Sequence, residues 1–387
     1  MQAVLTASQE QRALDLLRRV IGTVTVNPPG GEEALARLLA EELEKAGLVC
    51  QVRPFAPGRA NILARLPGRE PELPALMLNG HLDTVPFGDR DLWQTPPEEA
   101  VVEDGILRGR GASDMKSGLC AAAFALATLA EEGFVPRRDI LFLGTGDEES
   151  QGLGAQAAVE AGWLEGVGEM VIGEPTGNGL GVASKGTLWL EITLRGRTSH
   201  GAYPWEGINA AETACALVGE IKALVGGETH PYLTSPTCTL TRIDGGVKSN
   251  MVPDLCRMIF DVRTVPGVDH QTLIRRAREA CDRLCGPAGV QWELAVLTNR
   301  MAVETDPRGA LAEEMSQAVA AVTGKEPQLC GTGFFSDASI FLRSCSLPVV
   351  LFGPGASSEA HKPNETLVLE RYYEAAACYR QLLLMNG

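Results

Sequence analysis

The sequence has few basic residues, no long apolar run and no signal-like beginning. It contains 34 Lys and Arg residues and 49 Asp and Glu residues, which gives a formal charge of −15. Because this charge repels phosphate groups, neither nucleic acid nor an anionic membrane is expected as a partner. No segment approaches the roughly 20 apolar residues of a membrane span. The first twenty residues carry Glu10, Arg12, Asp15, Arg18 and Arg19, so no signal peptide is predicted.

Closely spaced cysteine pairs are also absent. The ten cysteines are scattered, and the closest pair, Cys281 and Cys285, is separated by one helical turn rather than by the two residues of a CxxC motif. Buried, reduced thiols are therefore expected, which indicates a cytoplasmic protein. Histidine is scarce as well. Only five are present, at positions 81, 200, 230, 270 and 361.

What the sequence does contain is an alternation of helical periods with short apolar runs. This alternation predicts an α/β protein, and 387 residues exceed the roughly 250 to 300 at which a single core stops growing. Between Leu188 and Leu297 the pattern changes to βαββαβ, the order of a ferredoxin-like domain. We therefore expect an αβα domain with a mixed sheet, formed by residues 1–184 and 298–387, and an inserted ferredoxin-like domain at 185–297.

A His-x-Asp step follows one of the apolar runs. The run at 75–79 leads into His81 and Asp83, the position just past a strand at which open α/β sheets hold ligands. The Asp83 carboxylate can hold one imidazole nitrogen of His81 and leave the other free for a metal ion. The alternative is a solvated loop histidine followed by a turn aspartate.

Further acids and a second histidine follow other predicted strands. The run at 139–144 precedes Asp147, Glu148 and Glu149, whose mutual repulsion requires nearby cations unless the acids lie at the surface. The remaining candidates are Asp114, Glu174 and His361. Asp114 also stands where it could cap the helix at 117–131. Because two imidazoles and several carboxylates suit a two-metal hydrolytic site better than a structural zinc site, the sequence predicts a hydrolytic metal centre.

Two other enzyme classes have weaker support. Residues 152–157 match GxGxxA, and Glu174 follows about twenty residues later, as in dinucleotide-binding proteins. Acids stand between the preceding strand and these glycines, however, and would face the pyrophosphate. No GxSxG nucleophile elbow is present either, so a serine hydrolase is not supported.

These motifs resemble the di-zinc metallohydrolase family that contains acetylornithine deacetylase, succinyl-diaminopimelate desuccinylase, aminoacylase and glutamate carboxypeptidase. The resemblance covers nearly the whole chain and implies a zinc-exopeptidase-like catalytic domain with a lid and dimerisation domain. It implies that His81 and Glu174 bind one zinc ion. It further implies that Glu149 and His361 bind the other, and that Asp114 bridges the two.

The resemblance also implies the catalytic roles. Asp83 orients His81, and Glu148 is the general base that activates a metal-bridging water. The peptide bond between Asp114 and Met115 is expected to be cis. Two zinc ions are the expected cofactors, for which Co²⁺ or Mn²⁺ can substitute.

The inserted domain contributes three more residues on the same basis. By similarity, His200 stabilises an oxyanion in the site of a partner subunit, and Asn250 polarises the scissile carbonyl. Arg263 binds a substrate carboxylate, for which a planar guanidinium is suited. A structural salt bridge to Asp261 is the alternative for Arg263. His230 and His270 lie in polar stretches and are expected at the surface.

The expected function is metal-dependent hydrolysis of the amide bond of N-acyl amino acids by a homodimer. The substrate is a small N-acyl amino acid or a short peptide. A dipeptidase or carboxypeptidase would carry the same metal ligands and the same Arg263. A non-catalytic metal-binding protein is the alternative from another class, although the presence of Glu148 favours catalysis.

Overall fold

The computed structural model describes residues 4–387; residues 1–3, which the expected larger domain includes, lie outside the described part. The chain divides into two compact units. The large unit runs to Val182 and continues with Glu304–Cys330 and Ser336–Gly387, and the small unit comprises Ala183–Val303 and Gly331–Phe335. Residues 183–184, 298–303 and 331–335, which are expected in the larger domain, therefore belong to the small unit.

Helices in the described part of the chain are α1 (Ala7–Gly22), α2 (Glu32–Lys45), α3 (Lys116–Glu131), α4 (Leu153–Glu160), α5 (Ala210–Lys222), α6 (His270–Ala288), α7 (Ala310–Thr323), α8 (Ala338–Phe341) and α9 (Leu369–Met385). The strands there are β1 (Val49–Ala56), β2 (Arg59–Leu66), β3 (Ala75–His81), β4 (Val101–Glu103), β5 (Ile106–Arg108), β6 (Ile140–Thr145), β7 (Val167–Ile172), β8 (Leu180–Ser184), β9 (Gly186–Arg195), β10 (Thr237–Gly245), β11 (Leu255–Thr264), β12 (Gln291–Arg300), β13 (Val303–Glu304), β14 (Leu329–Thr332), β15 (Val349–Leu351) and β16 (Thr366–Val368).

The large unit is built on a mixed sheet, which confirms the expected fold class. Its strands follow the order β1-β2-β6-β3-β7-β15-β8. Strand β2 is antiparallel to β1 and β6, whereas β6, β3, β7 and β15 run parallel to one another. Every residue of β3 and β6 is buried, as the continuous apolar runs predicted. The carboxyl ends of four neighbouring strands therefore meet at one edge of the sheet.

Helix α3 is apolar on most of its circumference because it is enclosed by other elements. It packs against α1, α9 and strand β3. Near its beginning, a Cβ atom added to Gly118 would lie 1.8 Å from the carbonyl oxygen of Gly173. Only glycine therefore allows the start of α3 to approach the residue just before Glu174. This contact fixes the Asp114 loop beside the end of β7.

The small unit has an antiparallel sheet in the order β10-β11-β9-β12. With the element order β9-α5-β10-β11-α6-β12, this is the ferredoxin-like arrangement. Helices α5 and α6 cover one face, where Leu188, Leu190 and Ile192 of β9 join the apolar core. The alternate residues of β9 point to the opposite face, which α5 and α6 do not cover and which we call the open face, although Thr187 and Thr193 on it are buried.

Within residues 4–387, no helix combines the length and apolar character that crossing a membrane requires.

Candidate metal centre

The predicted metal ligands and the predicted base gather where parallel strands of the large unit end. His81 is the last residue of β3, the predicted base Glu148 and Glu149 follow β6, and Glu174 follows β7. His361 lies in the segment after β15 and has a positive φ of 64°. Because β6, β3, β7 and β15 are neighbours with the same direction, their following residues meet at one edge.

Asp114 lies between the two histidines. Its Oδ1 is 3.1 Å from Nε2 of His81, and its Oδ2 is 3.4 Å from Nε2 of His361. Glu149 Oε2 is 3.0 Å from the same nitrogen of His361. His81, Asp114 and Glu149 offer ligand atoms that all lie within 4.8 Å of one another. The two carboxylate oxygens of Asp114 therefore face two different imidazoles.

The peptide bond between Asp114 and Met115 is cis, which confirms that expectation. The helix-capping alternative for Asp114 is wrong, because the N-cap of α3 is Met115 and no side chain caps the helix.

The main chain of Asp83 forms the hydrogen bond with His81. Nδ1 of His81 lies 2.9 Å from the carbonyl oxygen of Asp83, whereas Oδ1 of that residue is 3.8 Å away. The carboxylate instead accepts hydrogen bonds from the backbone N–H groups of Glu148 and Glu149, at 3.1 and 3.2 Å, and from Asn27. The hydrogen bond to the imidazole is therefore made by the main chain of Asp83, while the carboxylate lies at ion-pair distance from the ring and fixes the acidic loop.

The three consecutive acids have separate surroundings. Asp147 pairs with Arg59 at 2.8 Å and accepts hydrogen bonds from the backbone N–H groups of Gln151 and Leu153, so a protein cation relieves part of the repulsion. Glu149 faces His361. Glu148 is 6% exposed, and its buried Oε1 has no hydrogen-bond partner among the described residues. That oxygen is therefore available to a proton donor such as water.

The electrostatics of the cluster favour bound cations. Burial raises the pKa of Glu148 and of Glu174 well above the usual range of a carboxyl group. Contacts first with Asp114 and then with Glu149 raise the pKa of His361 to about 10. In the described part of the chain, the ion pairs of Asp114 and Glu149 are with histidines, not with Lys or Arg. The donor set therefore fits divalent metal ions, which would supply the missing positive charge.

The sequence did not reveal the role of Glu365. Its carboxylate is 1% exposed and accepts hydrogen bonds from Arg110 Nη1 at 2.8 Å and from the backbone N–H groups of Gly111, Ser113 and Asp114 at 3.1, 2.7 and 2.9 Å. Glu365 thus ties the Asp114 loop to the segment that carries His361. No local pattern signals this, since the partners are about 250 residues apart in the chain.

We expect Glu365→Gln to lower both stability and metal affinity. The amide keeps the size of the side chain but places N–H donors against backbone N–H groups and leaves Arg110 without its charge partner. Breaking such a buried pair costs roughly 3 kcal/mol of the free energy of unfolding. Denaturant titration with metal titration checks this. Unchanged stability together with unchanged metal affinity would remove Glu365 from the account.

The predicted residues of the small unit lie on its loops and open face. His200 is exposed and forms an isolated bridge with Met251, while the N–H of Gly201 donates to the carbonyl oxygen of Asn250 at 2.8 Å. His200 and Asn250 therefore lie on adjoining segments. Arg263 holds Asp261 with two hydrogen bonds, at 2.8 and 3.0 Å. The structure thus contains the salt bridge that was the alternative for Arg263.

The surface assignment of His270 is wrong. His270 is 1% exposed, and its two ring nitrogens lie 2.8 Å from Thr264 Oγ1 and 2.7 Å from Asn299 Oδ1. It links the start of α6 to two strands. His230 is partly exposed.

Comparison with known proteins identifies the family of the chain. Residues 77–385 match the model of a protein family that is described as Peptidase family M20/M25/M40. The succinyl-diaminopimelate desuccinylase of Methylobacterium sp. (strain 4-46) is 32% identical, over 93% of this chain and 92% of that protein. The same-named protein of Rhodospirillum centenum is 33% identical, over 88% and 89%.

Solved structures share the fold. A tripeptidase from Staphylococcus aureus superposes with a TM-score of 0.82 at 21% identity, covering 97% of this chain and 98% of that one. An M20-family metallo-carboxypeptidase from Sulfolobus solfataricus gives 0.79 at 20% identity, covering 96% and 98%. The family match spans well over half of the chain and covers the positions of the predicted metal ligands. The chain therefore belongs to peptidase family M20/M25/M40 and is a metal-dependent hydrolase.

Proposed function

We propose that this hydrolase cleaves the amide bond of N-acyl amino acids at a centre that holds two zinc ions. The observation that carries the proposal is the position of Asp114, whose two carboxylate oxygens face two different imidazoles beside the buried Glu148. His81 and Glu174 would hold one ion, and Glu149 and His361 the other. Imidazole and carboxylate ligands suit Zn²⁺ and also accept Co²⁺ or Mn²⁺.

When bound, such ions lower the pKa of a water molecule and polarise an amide carbonyl. Glu148 accepts the proton of the attacking water and returns it to the leaving amine. Its buried, unbonded Oε1 supports this role, and Asp83 holds its backbone N–H in place. A glutamate that binds metal is a poor base. Glu149, which contacts His361, is therefore assigned to the metal, and Glu148, whose Oε1 is unbonded, is assigned as the base.

The small unit would recognise the substrate. His200 stabilises the oxyanion and Asn250 polarises the carbonyl. Arg263 releases Asp261 and binds a substrate carboxylate in its place. These roles rest on the family resemblance and on the adjoining positions of His200 and Asn250.

Two related proteins named desuccinylases favour an N-acyl amino acid, and in particular an N-succinyl amino acid, as the substrate. A dipeptidase or carboxypeptidase activity is the second candidate, because structures with the same fold are named a tripeptidase and a metallo-carboxypeptidase. The ten free cysteines support a reducing, cytoplasmic location.

A hydrolysis screen tests the proposal. The purified protein is assayed for amine release from N-succinyl, N-acetyl and aminoacyl amides of the same amino acids, before and after chelation and after zinc is restored. We expect chelator-sensitive release, highest for an N-acyl amino acid. Preference for the aminoacyl amides would favour the peptidase alternative, and no release from any of them with metal bound would contradict the proposal.

We further propose a homodimer in which His200 serves the partner subunit's centre. His200→Ala and Glu148→Gln variants should each be inactive as homodimers. After subunit exchange of an equal mixture, half of the dimers contain one complete centre, so about one quarter of the wild-type activity should return. Activity of the exchanged mixture, with sedimentation to establish the dimer, checks this. No return of activity despite exchange would place His200 in its own subunit's centre.

A further inference from the structure

One row of residues crosses the open face of the small unit's sheet. Thr187 on β9 pairs with Arg263 on β11 and with Arg300 on β12. Directly paired residues of antiparallel strands point to the same face. Thr187 therefore lies between two arginines, on the face opposite the apolar core that contains Leu188.

A β-bulge places Arg300 on this face. In β12 the register shifts between Val296, which pairs with Leu190, and Thr298, which pairs with Trp189. The extra residue reverses the alternation, so Asn299 turns to the helix-covered face and contacts His270 there. Without it, Arg300 would face the apolar core.

The row contains buried hydrogen-bond donors that lack an acceptor. Arg300 is 3% exposed and Thr187 is fully buried. Within the described chain, Nη1 and Nη2 of Arg300 and Oγ1 of Thr187 have no hydrogen-bond partner. Nε1 of Trp189, two residues further along the same face, is also unpartnered there. Because buried polar groups are normally satisfied, a cluster of donors indicates an acceptor that binds from outside the chain.

The charge near this row is positive. Arg263 is compensated by Asp261, and Nζ of Lys185 donates to the carbonyl oxygen of Ser235. Burial and, after it, the charge of Arg263 lower the pKa of Lys185. Arg300 has no carboxylate partner among residues 4–387, and its guanidinium lies over the ring of Phe335, 5.3 Å from the ring centroid. This stacking orients the guanidinium while its in-plane Nη donors remain unpaired.

We propose that Arg300 and Thr187 form a carboxylate-binding site on the open face of the small unit, separate from the Arg263–Asp261 pair. A carboxylate accepts two hydrogen bonds from one guanidinium and has further lone pairs for a hydroxyl. The carboxylate belongs either to the acyl group of the substrate, which rests on the proposed function, or to a free dicarboxylate.

The first arm measures binding without catalysis. The full-length protein is stripped of metal, so that no ion competes for the carboxylate, and is titrated calorimetrically with succinate and with the uncharged succinamide. Wild type is expected to bind succinate and not succinamide. Arg300→Gln should weaken binding roughly 10- to 100-fold, the effect of losing a charge-assisted hydrogen-bonded pair. Arg195→Gln is the matched control, because it also removes one arginine charge from the same face of the sheet. Arg195 is exposed and lies on β9, eight residues after Thr187.

A second variant covers the case in which Arg300→Gln does not fold. Thr187→Val keeps the shape of the side chain and removes only the unpartnered hydroxyl. It should weaken succinate binding several-fold without lowering the melting temperature. A purely structural threonine would leave the binding unchanged.

The second arm identifies the source of the carboxylate. The KM values of metal-loaded wild type and Arg300→Gln are compared for N-succinyl and N-acetyl forms of one amino acid. A KM increase of about 10-fold or more for the succinyl substrate alone, with kcat retained, assigns the site to the acyl group. Loss of succinate binding without that increase assigns it to a free dicarboxylate.

The proposal is overturned if wild type does not bind succinate, or if Arg300→Gln binds it as tightly as Arg195→Gln does. The binding arm is independent of turnover. If no substrate is hydrolysed while succinate binding still depends on Arg300, the proposed function fails and the carboxylate site stands.

Discussion

Glu148→Gln is expected to retain its metal ions and to lose about a thousandfold in kcat. The amide has nearly the same size as the carboxylate but cannot accept the proton of the attacking water, and general bases typically contribute 10² to 10⁴ in rate, here taken as roughly 10³. Metal retention follows from the contacts, because the carboxylate facing His361 belongs to Glu149, not to Glu148. Metal analysis and steady-state kinetics on the same preparation measure both quantities.

Asp147→Asn is the matched control within the same run of acids. Asp147 bonds to Arg59, Asn27 and the beginning of α4, so this variant should keep metal and nearly all of its kcat. It should instead lower the free energy of unfolding by roughly 1 to 3 kcal/mol, because buried donors lose a charged acceptor. Loss of metal from Glu148→Gln, or a thousandfold loss of kcat in Asp147→Asn, would contradict the assignment of the base.

Asp114→Asn is expected to abolish binding of at least one of the two ions and therefore hydrolysis. The carboxylate spans the distance between Nε2 of His81 and Nε2 of His361, and an amide cannot offer two anionic oxygens. We expect the metal content to fall from two ions to one or none, with kcat reduced by more than about a thousandfold. Titration of the metal-free variant with zinc, followed by elemental analysis, measures the change.

The conservative comparison for this variant is Asp83→Asn. The side chain of Asp83 does not hydrogen-bond to the imidazole of His81, since its Oδ1 lies 3.8 Å from Nδ1. Its main-chain carbonyl remains in place after the substitution, so the Asp83→Asn variant should hold more metal than Asp114→Asn. Two ions bound by Asp114→Asn at wild-type affinity would show that Asp114 does not bridge them.

The strands that carry the site were predictable because they are buried on both faces. Continuous apolar runs mark β3 and β6, and they suffice to assign the residues after them to one edge of the sheet. Strand β1 gives no such signal, because it lies at the edge of the sheet, where all of its residues are exposed or half-buried. The bulge in β12 likewise broke the alternation, so the strand was expected to end at Leu297 rather than at Arg300.

Contacts between distant segments account for what the sequence did not predict. The carboxylate of Glu365 organises a loop about 250 residues earlier in the chain, and His270 is buried through its contact with Asn299. The sequence leaves open whether Arg263 pairs with Asp261 or binds a substrate carboxylate, since it shows only that both residues lie on the same face of one strand. Sequence spacing places such residues on a face; only the packed structure shows their partners.

The central claim is that two metal ions lie on either side of Asp114. Anomalous diffraction at the zinc edge from crystals of the zinc-loaded protein measures this directly. The account predicts two peaks per chain, both within coordination distance of Asp114, one beside His81 and one beside His361. A single peak, or peaks away from Asp114, would contradict it.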